Sequence, residues 1–328
     1  MVKMSENSRH LAALLIEKIP NYFPPEKLQF FDETGGVGIE FSKLPFDHLL
    51  FTGSGQTGRA VMAAAALNLC PVTLELGGKA PAIVCDDFPL KTAAERILFV
   101  KCLNAGQICT TVDHLFLPEK SIDTFVSLAK EIVQQYFPKL DSPDYTSIID
   151  QRSFDRLLET MDDAKQRGAT LIPLITGPTF NADTRKIAPH IILNAPDDSL
   201  AMTREIFGPL LPIKGYTALE DVITNINDGP RPLAIYPFSH DKAQVQLLLD
   251  RVMSGGVSVN DALFHVGQHD LPFGGVGASG MGHYHAYEGF QTFSKLRPVF
   301  YQAQFSGMKF LSPPYGKLAD RIMKFLIK

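Results

Sequence analysis

Asp47-His48-Leu49-Leu50-Phe51-Thr52-Gly53-Ser54-Gly55-Gln56-Thr57-Gly58 reads as a short strand running into a glycine turn. Its apolar run is bounded by glycine, as expected of a strand covered on both faces. The Ala-rich stretch Arg59 to Leu69 predicts a helix, and Val72 to Leu76 predicts a second strand that stops at Gly77-Gly78. Strand, helix and strand in that order predict a parallel α/β layer with a right-handed crossover. In such a layer glycines let the backbone approach a pyrophosphate while the helix N-terminus faces its charge. The Gly53-x-Gly55-x-x-Gly58 spacing suits that use, and Glu75 lies 20 residues beyond Gly55, where a ribose-binding acid would fall. The competing reading is a glycine turn that holds no ligand.

Helices are predicted over 10–19, ended by Pro20 and Pro24-Pro25, and over 90–103, 121–137, 153–167, 220–228 and 242–253. At 328 residues the chain is long for one core and more naturally forms two lobes. The boundary is expected between Gly78 and Asp87, where the first strand pattern ends. That gives a first, nucleotide-binding-type lobe over 1–85, with the rest of the chain beyond it. A nucleotide sheet normally opens on a strand, whereas this sequence goes almost directly into a helix, so the first lobe is expected to be incomplete. A second match, Gly275-Val276-Gly277-Ala278-Ser279-Gly280, follows Pro272 and precedes no strong helix. It is read as a tight glycine-rich loop rather than a phosphate site.

The formal net charge of -4 argues against nucleic acid as a partner, since phosphate binding wants concentrated positive charge. The first residues show no signal-peptide pattern, and the longest apolar run, Ala60 to Leu67, is too short to span a bilayer. The four cysteines form no C-x-x-C pair and are expected to be reduced thiols in a cytoplasmic protein.

Cys109 follows the polar, glycine-containing Asn104-Ala105-Gly106-Gln107-Ile108, a setting compatible with a reactive thiol. A buried structural thiol is the alternative, and it is kept for Cys70, Cys85 and Cys102. Glu75 ends an apolar strand, where desolvation would raise its pKa toward that of a general base near neutral pH. A solvated carboxylate at a sheet edge is the bland alternative. His283 and His285 share a face on an extended segment, but no third ligand is evident, so no metal is expected. The segment 316–328 predicts a basic amphipathic helix, more often packed on protein than laid on a membrane.

Five ordered motifs resemble the aldehyde dehydrogenase superfamily, nearest its class 3 and coniferyl aldehyde dehydrogenase branch. They are Phe51-Thr52-Gly53-Ser54, Leu74-Glu75-Leu76-Gly77-Gly78-Lys79, Asn104 through Cys109, Glu205-Ile206-Phe207-Gly208-Pro209 and Leu271-Pro272-Phe273-Gly274-Gly275. Ala278 through His285 points to the class 3-like branch in particular. The resemblance implies an incomplete Rossmann-type, NAD(P)-binding lobe over 1–85, a mixed α/β catalytic lobe over 86–284 and a C-terminal tail over 285–328, with NAD or NADP as cofactor. It implies Cys109 as nucleophile and Glu75 as the base that activates water. By the same resemblance Lys3 and Glu6 would hold the adenosine ribose, with Gly53, Ser54 and Gly58 along the phosphates. Leu76 would sit near the nicotinamide, Glu205 would hold its ribose, and Phe207 would pack near the ring. The expected activity is oxidation of an aromatic (coniferyl-like) or medium-chain aldehyde to the acid through a thiohemiacetal and a thioester. One oxyanion donor would be the Cys109 N–H; the family's other, an asparagine in a Pro-Trp-Asn-type motif, has no counterpart here, and the chain has no tryptophan. The segment Thr110 to His114 is expected near the substrate. A homodimer is expected. The rival expectations are a thiol esterase needing no cofactor and a non-catalytic remnant.

Overall fold

The computed structural model describes Met1–Ile327. The first part of the chain runs β1 (Val2–Lys3), α1 (Arg9–Lys18), β2 (Phe30–Phe31), α2 (Val37–Ser42), β3 (Leu49–Gly53), α3 (Gly55–Ala66) and β4 (Val72–Leu76). Then come β5 (Pro81–Val84), α4 (Leu90–Cys102), β6 (His114–Pro118), α5 (Ile122–Tyr136), α6 (Gln151–Gln166) and β7 (Thr170–Pro173). They are followed by β8 (Phe180–Asn181), β9 (Lys186–Ile187), β10 (His190–Leu193), α7 (Leu200–Thr203), β11 (Leu210–Tyr216) and α8 (Leu219–Asp228). The last are β12 (Ala234–Phe238), α9 (Lys242–Arg251), β13 (Gly256–Val257), β14 (Gly280–Met281), α10 (Ala286–Thr292) and α11 (Lys317–Leu326).

β3 and β4 pair in parallel with α3 between them, as the opening stretch predicts, but β3 is an edge strand that buries Leu49 and exposes Leu50, not a strand covered on both faces. The helix begins earlier than Arg59, at Gly55, because the Ser54 side chain accepts from the Thr57 N–H and caps it. It ends before Leu69, whose φ of 54° leaves the helical region. The third glycine of the motif works in packing: a Cβ at Gly58 would lie 2.7 Å from a Leu76 methyl, so its absence lets α3 lie close on β4. The loop from Gly275 turns back tightly, Val276 N–H donating to Ser279 Oγ at 2.9 Å, and delivers β14 antiparallel onto β4. That short strand was not expected. Proline at 272 rules out a ladder position there, and the pairing begins only at Gly280.

The larger sheet has the order β13-β12-β5-β6-β11-β10-β7, parallel except for the β7 edge. β5 lies in this sheet, between β12 and β6, so sheet membership changes between Leu76 and Pro81 rather than at residue 85. The pleat explains the continuous apolar strands. Ala82, Val84, Leu115 and Leu117 face the layer that contains Ile97, Phe125 and Val133. Ile83, Phe116 and Ile235 face Val222, Ile226 and Leu248 on the other side. By backbone contacts the chain separates into residues 1–293 and a tail beginning at Ser294. In that tail α11 exposes Leu318, Met323, Phe325 and Leu326 and buries Ala319. No helix among the described residues is long and apolar enough to cross a membrane.

Candidate active site

α4 ends at Cys102, and the next turn is built from three consecutive left-handed residues: Asn104 (φ 52°), Ala105 (φ 52°) and Gly106 (φ 73°). Two non-glycine residues in that region carry strain, so the surroundings must hold them. Gln107 does much of this. Its Nε2 donates to the Asn104 carbonyl at 3.0 Å and the Ser147 carbonyl at 3.1 Å, and its Oε1 accepts from Ile149 N–H at 2.9 Å. Asn104 Nδ2 donates to the Gln107 carbonyl at 3.1 Å, and Ala105 is fully buried. A Cβ on Gly106 would lie 2.3 Å from the Gly208 carbonyl oxygen, which draws the segment before β11 against this turn. Gly106→Ala therefore combines a left-handed alanine with a backbone clash. It is expected to cost about 2–4 kcal/mol in urea unfolding; a loss under 1 kcal/mol would mean the turn adapts easily.

The turn delivers Cys109 half-buried, whereas Cys70, Cys85 and Cys102 are buried. Burial raises the Cys109 pKa, the charges of Glu205 and Glu75 raise it further, and hydrogen bonding from Thr110 opposes them. Glu75 lies in the central strand of the three-stranded sheet, flanked by Thr52 on β3 and Gly280 on β14. It is thus not a solvated edge carboxylate. It is 4% exposed, and neither carboxyl oxygen has a hydrogen-bond partner among the described residues. Burial pushes its pKa up to about 8. A carboxyl buried without partners is costly to keep in a fold and marks a functional candidate.

Glu205 comes from the segment between α7 and β11. Its carboxylate lies where a Cβ on Gly77 would be, at 2.0 Å, and accepts from the Gly78 N–H. Burial, then the charge of Asp113, lifts its pKa to about 7. The backbone here is anchored: Arg156 donates to the Glu205 carbonyl at 3.0 Å and to the Ile206 carbonyl at 2.7 Å. Phe207 has a φ of 45°, a third strained residue at the site.

Tyr236 donates to the Thr110 carbonyl, and its pKa is raised by burial and then by Cys109. Tyr284 is raised by burial, Glu75 and Cys109, and packs edge-on to Phe273 at 5.7 Å. The structure thus gathers Cys109, Glu75, Glu205, Tyr236 and Tyr284. Neither tyrosine carried a sequence signal beyond Tyr284's place in the motif before α10. Residues 110–114 are all buried, so they support the site from behind. His285 packs tilted against Phe273 at 5.1 Å while His283 is exposed, because the chain turns into α10 here instead of staying extended.

The other sequence candidates lie as follows. Gly53 and Ser54 are exposed at the β3–α3 turn, with Gly53 in register with Leu76. Leu76 is buried against Gly58. Lys3, on β1, is ion-paired with Glu33, and Glu6 is exposed in the turn that follows. For a dinucleotide the fit is sound: the turn at a helix N-terminus suits phosphates, and the Glu205 carboxylate offers acceptors for ribose hydroxyls.

The aldehyde dehydrogenase family model matches residues 1–299. A probable coniferyl aldehyde dehydrogenase of Pseudomonas aeruginosa is 50% identical over 324 residues, covering 98% of this chain and 67% of that protein. The chain therefore spans about two thirds of that relative's length. The substrate-bound structure of Staphylococcus aureus AldH superposes with a TM-score of 0.85 at 32% identity, over all of this chain and 70% of that one. A Staphylococcus aureus betaine aldehyde dehydrogenase solved with NAD+ superposes with a TM-score of 0.78 at 27% identity, over 89% and 60% of the two chains.

Proposed function

The chain belongs to the aldehyde dehydrogenase family, and on that premise we propose that it oxidises an aromatic, coniferyl-like aldehyde to its acid with NAD+ or NADP+, through Cys109. The observation that carries the reading is the meeting of a half-buried thiol with a buried, unpartnered carboxyl whose charge it feels.

Cys109 Sγ, as thiolate, adds to the carbonyl carbon and makes a tetrahedral thiohemiacetal. The Cys109 N–H would donate to the oxyanion. A nicotinamide dinucleotide, when bound, supplies the hydride acceptor that the oxidation needs. Loss of hydride from the former carbonyl carbon leaves an acyl thioester on Sγ. Glu75 takes a proton from water, the hydroxide attacks the thioester, and the acid leaves as the thiolate returns. Glu205, set over Gly77 and Gly78, would hold the nicotinamide ribose, and Gly53 and Ser54 would meet the phosphates. Phe207 would pack near the nicotinamide ring, and Tyr284, which feels the charges of Glu75 and Cys109, gives an aromatic substrate a ring partner.

The test is nicotinamide reduction by the purified chain with coniferyl aldehyde and with a medium-chain aldehyde, using NAD+ and NADP+ in turn. Reduction with a preference for coniferyl aldehyde is expected. Hydrolysis of activated esters with no reduction by either cofactor would replace this reading with a cofactor-free thiol hydrolase. Within the same assay Glu205→Gln is expected to raise the KM for cofactor about 10- to 100-fold, the worth of a hydrogen bond to a charged acceptor. An unchanged KM would remove Glu205 from the cofactor site.

A further inference from the structure

We propose that Lys79 and Asp113 form a clamp that grips the backbone on both sides of Glu205 and so positions the Glu205–Phe207 segment beside Cys109. This deepens the functional reading above and rests on it for the role of Glu205. Lys79 Nζ donates to Asp113 Oδ1, to the Ala201 carbonyl at 2.9 Å and to the Arg204 carbonyl at 3.2 Å. The second oxygen of Asp113 accepts from the Ile206 N–H at 2.8 Å. One ion pair therefore holds the residue before Glu205 by its carbonyl and the residue after it by its N–H.

The three joined segments are those that carry the chemistry. Lys79 follows the Gly77-Gly78 pair on which the Glu205 carboxylate rests, at the end of the strand that bears Glu75. Asp113 lies four residues beyond Cys109. A fully buried Lys101, donating to the Val112 carbonyl at 2.9 Å, supplies a second cation near Asp113. Burial opposes ionisation of Asp113, but Lys79, His114 and Lys101 outweigh it and hold the carboxyl well below its ordinary range. For stability alone an apolar pair would serve as well as a buried ion pair. Main-chain groups gripped by both ions instead fix a geometry, and the left-handed Phe207 needs fixing. Lys79 and Asp113 touch no reacting atom in this arrangement and are positioning residues.

Hydrogen–deuterium exchange of the intact chain tests the clamp directly, without catalysis. Asp113→Asn also strips a counter-charge from two lysines, so Lys79→Met, which does not, is made beside it, with Lys79→Arg as the conservative rescue. Exchange over residues 203–208 is expected to rise about 10- to 100-fold in Asp113→Asn and Lys79→Met. β10 and β11 should keep their protection, and Lys79→Arg should return the segment toward the parent rate. Unchanged exchange over 203–208, or an equal rise across β10 and β11, would overturn the clamp. NAD+ affinity by calorimetry is the second arm. Weakening in both clamp variants to the level of Glu205→Gln is expected; weakening in Glu205→Gln alone would overturn the clamp. If Glu205→Gln itself binds NAD+ like the parent, the cofactor role of Glu205 fails while the exchange result still judges the clamp.

Discussion

Cys109→Ala is expected to lower aldehyde oxidation at least about 10⁴-fold and to abolish ester hydrolysis to the same degree, since both need the thiolate. No other sulfur can substitute. Cys85 and Cys102 are buried, with pKa values pushed up to about 11 and about 12, chiefly by that burial. Cys70 is buried too, its pKa raised by burial and by Asp47. Cys109 alone is half-exposed, so an alkylating reagent should modify it first, with activity falling in step. The thiol is not activated by a neighbouring cation; its neighbours are two carboxyls. With Glu205 raised to about 7 and Glu75 to about 8, both still carry much of their proton near neutrality and oppose the thiolate less there than at higher pH, where both are ionised. Alkylation should therefore rise less steeply with pH than for an isolated thiol. Retained oxidation in Cys109→Ala, or modification that leaves activity intact, would remove the nucleophile from the scheme.

The elements legible in the sequence are those set by local pattern. Val72–Leu76 is a strand at its expected bounds because an apolar run meets two glycines, and Leu90–Cys102 is a helix because its apolar spacing is continuous. The start of α3 was misjudged since glycines inside a first turn look like loop, while the deciding interaction is one serine hydroxyl. Motif resemblance brought Cys109, Glu75 and Glu205 forward, and the structure brings both carboxyls within electrostatic reach of Cys109.

What lay beyond local pattern is the pairing of charges far apart in sequence. Lys79 and Asp113 fall in segments the sequence singled out, but nothing there shows that they pair until the fold joins them, and nothing shows that Arg156 reaches the Glu205 carbonyl. The partner of Glu75 on β14 comes more than two hundred residues later, from a loop whose proline concealed the strand that follows. A buried lysine such as Lys101 has no signature of its own, because burial is a property of the packed sheet and helices around it.

Glu75→Gln is expected to give a chain that is more stable and far less active. Catalytically, the glutamine cannot take a proton from water, so thioester hydrolysis should slow about 10²- to 10⁴-fold while acylation of Cys109 persists. Rapid mixing would then show one early turnover of nicotinamide reduction per chain and a slow steady state. Where hydrolysis limits the parent, its turnover should climb with pH toward about 8 and level off as Glu75 loses its proton; in the variant that limb should vanish. The stability effect follows from the same burial. Unfolded, this carboxyl ionises near its ordinary 4.5; folded, near 8. Below 4.5 both states hold the proton and nothing is lost. Between 4.5 and 8 the unfolded state is ionised while the folded state is not, so stability falls steadily as pH rises, and above 8 the loss is complete. At about 1.36 kcal/mol per pKa unit the upper bound is roughly 5 kcal/mol. Urea unfolding of parent and variant at pH 5 and pH 9 measures it, and the variant's advantage should widen at the higher pH. An equal gap at both would mean that Glu75 ionises normally in the fold, and the base would have to be sought elsewhere.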